Sequence, residues 1–338
     1  MLRIDGSYGE GGGQILRTAI ALSVITNKSV EIFNIRSNRP DPGIKPQHYV
    51  AIKSIEDLCG GESTGLEIGS SDLVFKPGEV KGGNYKFDVG TAGSITLVFQ
   101  ALLLSALKTH HPLTVTVKGG TDVRWAPSWG YFNQVFLCLL KKMGVSVDAQ
   151  LIKRGYYPKG GGEGSLTIKP SEIIHPLCLD EKQNFTKING VIHSANLPED
   201  VSTRMKHAAI KTLMKKSLEA DITVEDKPSI STGIGITLWT KSDSAILGST
   251  MLGERGVPAE KIGGDAASNL IKDIESDANI DVYAFDQIVP YIAIAHKSSS
   301  CVVREISNHA KTNMWLVKQF FDVDFKLEKF GNATIVTT

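Results

Sequence analysis

The stretch that decides the fold is Leu2-Arg3-Ile4-Asp5-Gly6-Ser7-Tyr8-Gly9-Glu10-Gly11-Gly12-Gly13-Gln14-Ile15-Leu16-Arg17. A short strand (Leu2–Asp5) runs into a glycine turn, and the turn opens an apolar helix over Gln14–Thr26. Glycine lets backbone N–H groups turn inward and approach a ligand, and a helix N-terminus favours an anion. The spacing is neither G-x-G-x-x-G nor a Walker A loop. Two readings therefore stand: a phosphate cradle or a structural turn.

Working outward, the pattern continues with a strand at Val30–Ile35, a helix at His48–Cys59 and extended segments in Gly65–Val74, closing at the turn Pro77-Gly78. The order β-α-β-α-β-β then repeats. A strand at Tyr85–Val89 leads into the turn Gly90-Thr91-Ala92-Gly93, which matches Gly11-Gly12-Gly13, and into an apolar helix at Ser94–Lys108. A strand at Leu113–Lys118 follows, then a helix at Trp129–Met143 that stops at Gly144, then strands at Val145–Lys153 and Gly164–Lys169. A third copy shows in part: a first strand near Ile173–Leu179, a helix at Val282–Ala295, a strand at Cys301–Ile306, a helix at Thr312–Phe321, and strands at Phe325–Lys329 and Ala333–Val336. The intervening hundred or so residues differ in character and read as an inserted domain with its own strand (Ile188–His193), helix (Val201–Leu218), three strands and helix (Ala259–Ile274). Lys206, Lys211, Lys215 and Lys216 give it a basic helix face, read as a solvated surface. The expectation is a two-layer α/β (α+β) fold, with a large domain over residues 1–180 and 277–338 and a small inserted α/β domain over 181–276.

The chain has 338 residues, 41% of them hydrophobic and 22% charged, with a net charge of +1. That length supports a sizeable core. The near-neutral balance argues against non-specific coating of nucleic acid while leaving room for a few arginines that grip one strand end. Cys59, Cys138, Cys178 and Cys301 lie far apart, a poor zinc or disulfide pattern, and read as mostly buried thiols. The longest apolar run, Ile95 to Leu107, is too short for a bilayer and is broken by Gln100. No signal peptide is evident at the start, so the expected compartment is cytoplasmic, or nuclear in a eukaryote.

Three further stretches carry chemistry. Arg36-Ser37-Asn38-Arg39-Pro40-Asp41-Pro42-Gly43-Ile44-Lys45-Pro46-Gln47 places two arginine forks in a proline-stiffened loop, suited to phosphate or simply structural. Arg154-Gly155-Tyr156-Tyr157-Pro158-Lys159-Gly160-Gly161-Gly162-Glu163 joins glycines with basic and aromatic residues that stack on a base or pack a turn. Ser307-Asn308-His309-Ala310-Lys311-Thr312-Asn313 sets His309 between a strand and a helix, with Thr312 and Asn313 as expected caps. An imidazole there suits attack on phosphorus, with the helix N-terminus steadying anionic oxygens and Asp286, about one helix upstream, holding the tautomer.

Taken together, Gly9 to Gln14, Arg154 to Gly162 and His309 to Asn313, in this order along essentially the whole chain, resemble the RNA 3'-terminal phosphate cyclases. The resemblance implies three βαβαββ repeats like the C-terminal domain of translation initiation factor three, plus an inserted domain. It implies an ATP-dependent ligase with a divalent metal (Mg or Mn) that converts an RNA 3'-phosphate to a 2',3'-cyclic phosphate through a histidyl-AMP and an RNA-(3')pp(5')A end. Carried over residue by residue, His309 is the nucleophile and Asp286 its orienter. Arg17 and Arg39 join the catalytic set, and Glu10 holds the metal. Gln14, Gln100, Pro127, Tyr283, Asp286, Gln287 and His309 receive the nucleotide, with Pro127 and Tyr283 flanking the base. Arg36, Arg39 and Gln47 receive the RNA end. Trp125 or Trp129 is a stacking residue or a packing one. A second reading, the non-catalytic cyclase-like factor of ribosome biogenesis, is disfavoured because His309 is present. A third, an enolpyruvyl transferase with related repeats, would need no adenylated histidine and matches neither glycine signature.

Overall fold

The computed structural model describes residues 1–171, 173–179, 181 and 183–338. The expected boundary at Asp180 lies outside them. The chain is mixed α/β, with four four-stranded sheets among the described residues.

In the first sheet β1 (Leu2–Asp5) runs parallel to β2 (Val30–Phe33), and the hairpin of β3 (Glu62–Thr64) and β4 (Leu73–Lys76) returns antiparallel in the order β1-β2-β4-β3. Helices α1 (Gly13–Thr26) and α2 (Pro46–Cys59) connect these strands. The second sheet repeats the arrangement with β5 (Gly83–Asp88), β6 (Leu113–Gly119), β7 (Val147–Lys153) and β8 (Gly162–Ile168), ordered β5-β6-β8-β7. Between β5 and β6 lies α3 (Ile95–Ser105). Between β6 and β7 lie α4 (Trp129–Tyr131), a π-helical turn (Phe132–Phe136) and α5 (Leu137–Lys142).

A third sheet pairs β9 (Cys178–Leu179) with a distant partner, because the chain leaves after β9. It first forms β10 (Lys187–Ala195), α6 (Glu199–Met214), β11 (Glu219–Asp226), β12 (Gly233–Lys241), β13 (Ile246–Leu252) and α7 (Ala259–Glu275). It then returns through α8 (Val282–Ile294), β14 (Ser300–Val303), α9 (Asn308–Lys318), β15 (Lys326–Phe330) and β16 (Ala333–Thr337). β14 runs parallel to β9, and the β15–β16 hairpin is antiparallel, as in the first two sheets. The strands β10–β13 form a separate sheet ordered β11-β10-β12-β13.

Burial explains this grouping. One continuous apolar core gathers Ile15, Leu16 and Ile20 of α1, Ile52 and Ile55 of α2, Phe99 and Leu102 of α3, and Phe285 and Ile288 of α8. A second core under α6 and α7 contains Ile192, Met205, Leu213, Ile236, Leu247 and Leu270. No helix among the described residues is long and apolar enough to cross a membrane.

Two expectations need correcting. Cys59 and Cys301 are buried, but Cys138 is half-buried and Cys178 exposed, since β9 lies at a sheet edge. The last helix begins at Asn308, not Thr312: Ser307 is its N-cap, its hydroxyl accepting from the Ala310 N–H at 3.0 Å. Thr312 and Asn313 therefore sit inside the helix and do not cap it. Thr312 returns its hydroxyl to the Asn308 carbonyl, and Asn313 donates to the Asp286 carbonyl.

Candidate active site

The glycine turn before α1 meets the first turn of α9. Gly9 has φ +59 and faces Thr312 so closely that a Cβ would strike the threonine hydroxyl. Only glycine tolerates both the left-handed backbone and the approach. Beside this contact Tyr8 stacks on Trp315, ring centroids 3.9 Å apart. The two chain regions are thus pressed together, and Gln14 donates to the His309 carbonyl at 3.3 Å.

Three expected residues converge here. Glu10 Oε2 lies 3.3 Å from His309 Nε2 and 3.4 Å from Arg39 Nη2. The His309 side chain is 45% exposed, so the imidazole is held yet open to a ligand. Arg36, in a left-handed conformation, donates to the carbonyls of Asp41 and Gly43, which folds the arginine loop back on itself. That loop delivers Arg39 to Glu10. The Arg36 guanidinium is thereby tied to loop backbone.

Asp286 does not hydrogen-bond the imidazole. Its buried carboxylate accepts from Ser307 Oγ, the hydroxyl that caps α9. It acts on His309 through the start of the helix that carries it. Burial pushes its pKa up to about 7, the Ser307 hydrogen bond opposing and the charges of Asp281 and Glu10 reinforcing the shift.

Arg17 adds a further electrostatic feature. It lies one turn into α1, has no ion pair or hydrogen bond among the described residues, and burial lowers its pKa to about 10. A half-buried guanidinium without a carboxylate is poised for an anion. His48 packs against Gly13, where a Cβ would fall within the imidazole ring. Burial first, then Arg17, Arg36 and Lys45, pull its pKa to about 3, so it stays neutral, and its Nδ1 accepts from the Lys45 N–H at 3.2 Å.

The remaining residues occupy the neighbouring helix ends. Gln100 of α3 donates to the Gln287 side chain of α8, which in turn donates to the Tyr283 carbonyl at 2.8 Å. Tyr283 is 66% exposed on the first turn of α8. The Pro127 carbonyl accepts from Thr96 at 2.8 Å. Gln47, at the start of α2, accepts from the Ser94 N–H at 3.1 Å and so joins the first glycine-turn region to the second. Trp129 is buried against Phe99 and Phe132, a packing residue, whereas Trp125 is 94% exposed with φ +59.

The Arg154 signature has a different place. Arg154 is buried and pairs with Asp122 at 2.9 Å and with Glu225 of β11 at 2.9 Å. Tyr156 reaches His193 of β10 at 2.9 Å, and His193 Nε2 lies 3.3 Å from Asp122. This buried cluster fastens the second sheet to the β10–β13 sheet.

Sequence reasoning missed Ser307, Thr312 as the partner of Gly9, and the Tyr8–Trp315 stack. Ser307 had a readable signal, a serine three residues ahead of the helical Ala310. The other two are contacts between opposite chain ends and leave none.

An open imidazole beside the Glu10 carboxylate, itself paired with Arg39, at the meeting of two helix N-termini is suited to handling phosphate. Residues 8–327 match the model of the family described as RNA 3'-terminal phosphate cyclase. A protein of that name from Methanosarcina barkeri is 44% identical over 329 residues, covering 97% of each chain. One from Archaeoglobus fulgidus is 44% identical over 338 residues, covering 99% of this chain and 100% of its own. One from Pyrococcus furiosus is 42% identical over 328 residues, 97% and 95% of the two chains. The chain belongs to the RNA 3'-terminal phosphate cyclase family. Among solved structures, the enolpyruvyl transferase NikO from Streptomyces tendae aligns with a TM-score of 0.38 at 11% identity, over 99% of this chain and 47% of that one.

Proposed function

We propose that this protein is an ATP-dependent, nucleotidyl-transferring ligase that converts an RNA 3'-phosphate into a 2',3'-cyclic phosphate. The observation that carries the proposal is His309, fixed by a capped helix, half-open to solvent, and set against Glu10 and Arg39. In the first step the Nε2 lone pair bonds to the α-phosphorus of ATP and pyrophosphate leaves with the P–O electrons. In the second, an oxygen of the RNA 3'-phosphate attacks the histidyl-AMP, the N–P bond breaks, and an RNA-(3')pp(5')A end forms. In the third, the adjacent 2'-hydroxyl loses its proton and attacks the 3'-phosphorus, and AMP leaves. Activation is needed because a phosphate oxygen leaves poorly and AMP leaves well.

The roles follow from position. Gln14 holds the His309 carbonyl and Asp286 holds Ser307, so both orient the nucleophile's helix. Arg17 and Arg39 meet developing phosphate charge. Gln100, Gln287, Tyr283 and Pro127 form the nucleotide end of the site, and Arg36 and Gln47 flank the RNA end. A divalent ion (Mg or Mn) escorting phosphates needs only one or two protein carboxylates. Glu10, partly exposed and facing the imidazole, fits that demand; the described residues hold no group of three or more His, Cys, Asp or Glu able to hold a metal alone. The ion would supply charge neutralisation on the phosphates.

For the fold, the reading is of three βαβαββ repeats, like the C-terminal domain of translation initiation factor three, with an inserted α/β domain at 181–276 and the large domain at 1–180 and 277–338. The shared strand order of three sheets and the second apolar core support it. The test is a 3'-phosphorylated oligonucleotide incubated with ATP and magnesium. The terminal phosphate is expected to become resistant to phosphatase only when ATP is present. Stable RNA or protein binding without turnover would instead favour the non-catalytic assembly-factor reading.

A further inference from the structure

The glycine cluster of residues 155–162 serves more than the Arg154 clamp. Its far side packs backbone against backbone with two other glycine segments. Gly120 donates to the Gly93 carbonyl at 2.8 Å, and Thr121 to the Gly155 carbonyl at 2.8 Å. A Cβ on Gly160 would lie 2.9 Å from the Thr91 carbonyl. These turns form one end of a cleft whose rim carries Lys118, Lys153 and Lys159, all exposed. None of the three has an ion pair or a side-chain hydrogen bond among the described residues.

Two carboxylates also line the cleft. Asp88 is engaged by the Gly90 N–H at 2.8 Å, and Glu163 stands between Lys118 and Lys153 in the strand register. The balance is positive, three lysines against two acids. A chain of residue contacts links the cleft to the active site. His309 touches Gln14, the adjacent Gly13 touches His48, and the preceding residue, Gln47, contacts Gly93 and holds Ser94. Gly90 and Thr91 of that same turn line the cleft.

We infer that this lysine cleft is a binding track for the phosphodiester backbone of the RNA strand leading to the 3'-end. Of the lining glycines Gly90 leaves open space where a Cβ would stand, while Gly119, Gly161 and Gly162 turn that side to protein, so the lysines carry the binding and contact phosphates without reading bases. The inference rests on the function proposed above and deepens it: the enzyme would prefer a polynucleotide end over a short 3'-phosphorylated fragment.

The test compares wild type with K118Q/K153Q/K159Q, matched for melting temperature, on a 3'-phosphorylated 20-mer and a 3'-phosphorylated dinucleotide. Wild type is expected to show a lower KM for the 20-mer, and the triple variant to lose most of that advantage. Three single-strand phosphate contacts also predict that raising salt fourfold weakens wild-type binding to the 20-mer about 20-fold more than it weakens the variant. An unchanged KM ratio with an unchanged salt slope would overturn the track, as would an equal rise in KM for both substrates. If wild type turns over neither RNA, the proposed activity has failed instead. Fluorescence anisotropy with the 20-mer then still decides the cleft: weaker, less salt-sensitive binding by the variant upholds it, and identical binding overturns it.

Discussion

Replacing Ser307 by alanine removes one hydroxyl that serves two elements. Its oxygen caps α9 by accepting from Ala310, and its proton goes to the buried Asp286 carboxylate. Loss of a serine N-cap costs about 1 kcal/mol. Stranding a buried acceptor adds about 1–3 kcal/mol. Ser307→Ala is therefore expected to destabilise the protein by about 2–4 kcal/mol, near the upper end for a single substitution. It should also loosen the first turn that carries His309. The hydrogen bond favours the charged carboxylate, so the loss should be greater at pH 8 than at pH 6. The assay is denaturant unfolding at both pH values, alongside the rate of adenylate transfer to the protein. Ser307→Thr keeps the hydroxyl and should restore most of both. An alanine variant with unchanged stability and unchanged transfer would refute the role given to the Asp286–Ser307 pair.

Asp286 itself sets a pH dependence. Its folded pKa, about 7, exceeds the unfolded value of 3.8, so its stabilising contribution is complete below about 4 and is lost as pH rises through 7. Asp286→Asn should flatten stability against pH in that window in part, because the buried Asp281 titrates there too; melting from pH 4 to 8 checks it. Arg17→Met should leave stability unchanged or improved, since a desolvated cation is removed, while RNA cyclisation falls at least about tenfold through loss of a charge-assisted contact; paired melts and turnover assays separate the two. Arg154→Met leaves the buried Asp122 with hydrogen bonds from Thr121 and the Trp129 N–H and the His193 ring nearby but without its arginine, and should cost about 3–5 kcal/mol, visible as early exposure of the β10–β13 sheet in hydrogen exchange. Gly13→Ala places a methyl group within the His48 ring and should destabilise by at least about 1–3 kcal/mol, measured by denaturant unfolding.

Much of this architecture was legible because hydrophobic periodicity and glycine punctuation are local. The strands from Leu2 to Phe33, the helix ending before Gly144 and the paired glycine turns all announce themselves within a few residues. The π-helical turn at Phe132–Phe136 did not, since its pattern is helical and only packing widens the ring. The helix α9 starts four residues ahead of the expected Thr312, because Thr312 and Asn313 are good capping residues in isolation while Ser307 takes the position, accepting from Ala310 and donating to Asp286. His309, Glu10 and Arg39 were nameable from a family pattern, but their contact spans almost the whole chain, and no local rule predicts it. The Arg154 cluster shows the reverse. A stretch with the look of a ligand loop commits its arginine to a buried clamp and leaves Lys159 exposed at the cleft.

The central claim is that His309 becomes bonded to adenylate. Incubation with α-labelled ATP and magnesium, followed by denaturation and peptide mapping, tests it most directly. The account predicts one adduct on the peptide bearing His309, stable to alkali and lost in acid as a phosphoramidate would be, and absent from His309→Ala. A label that persists in that variant, or that maps to another residue, would contradict it.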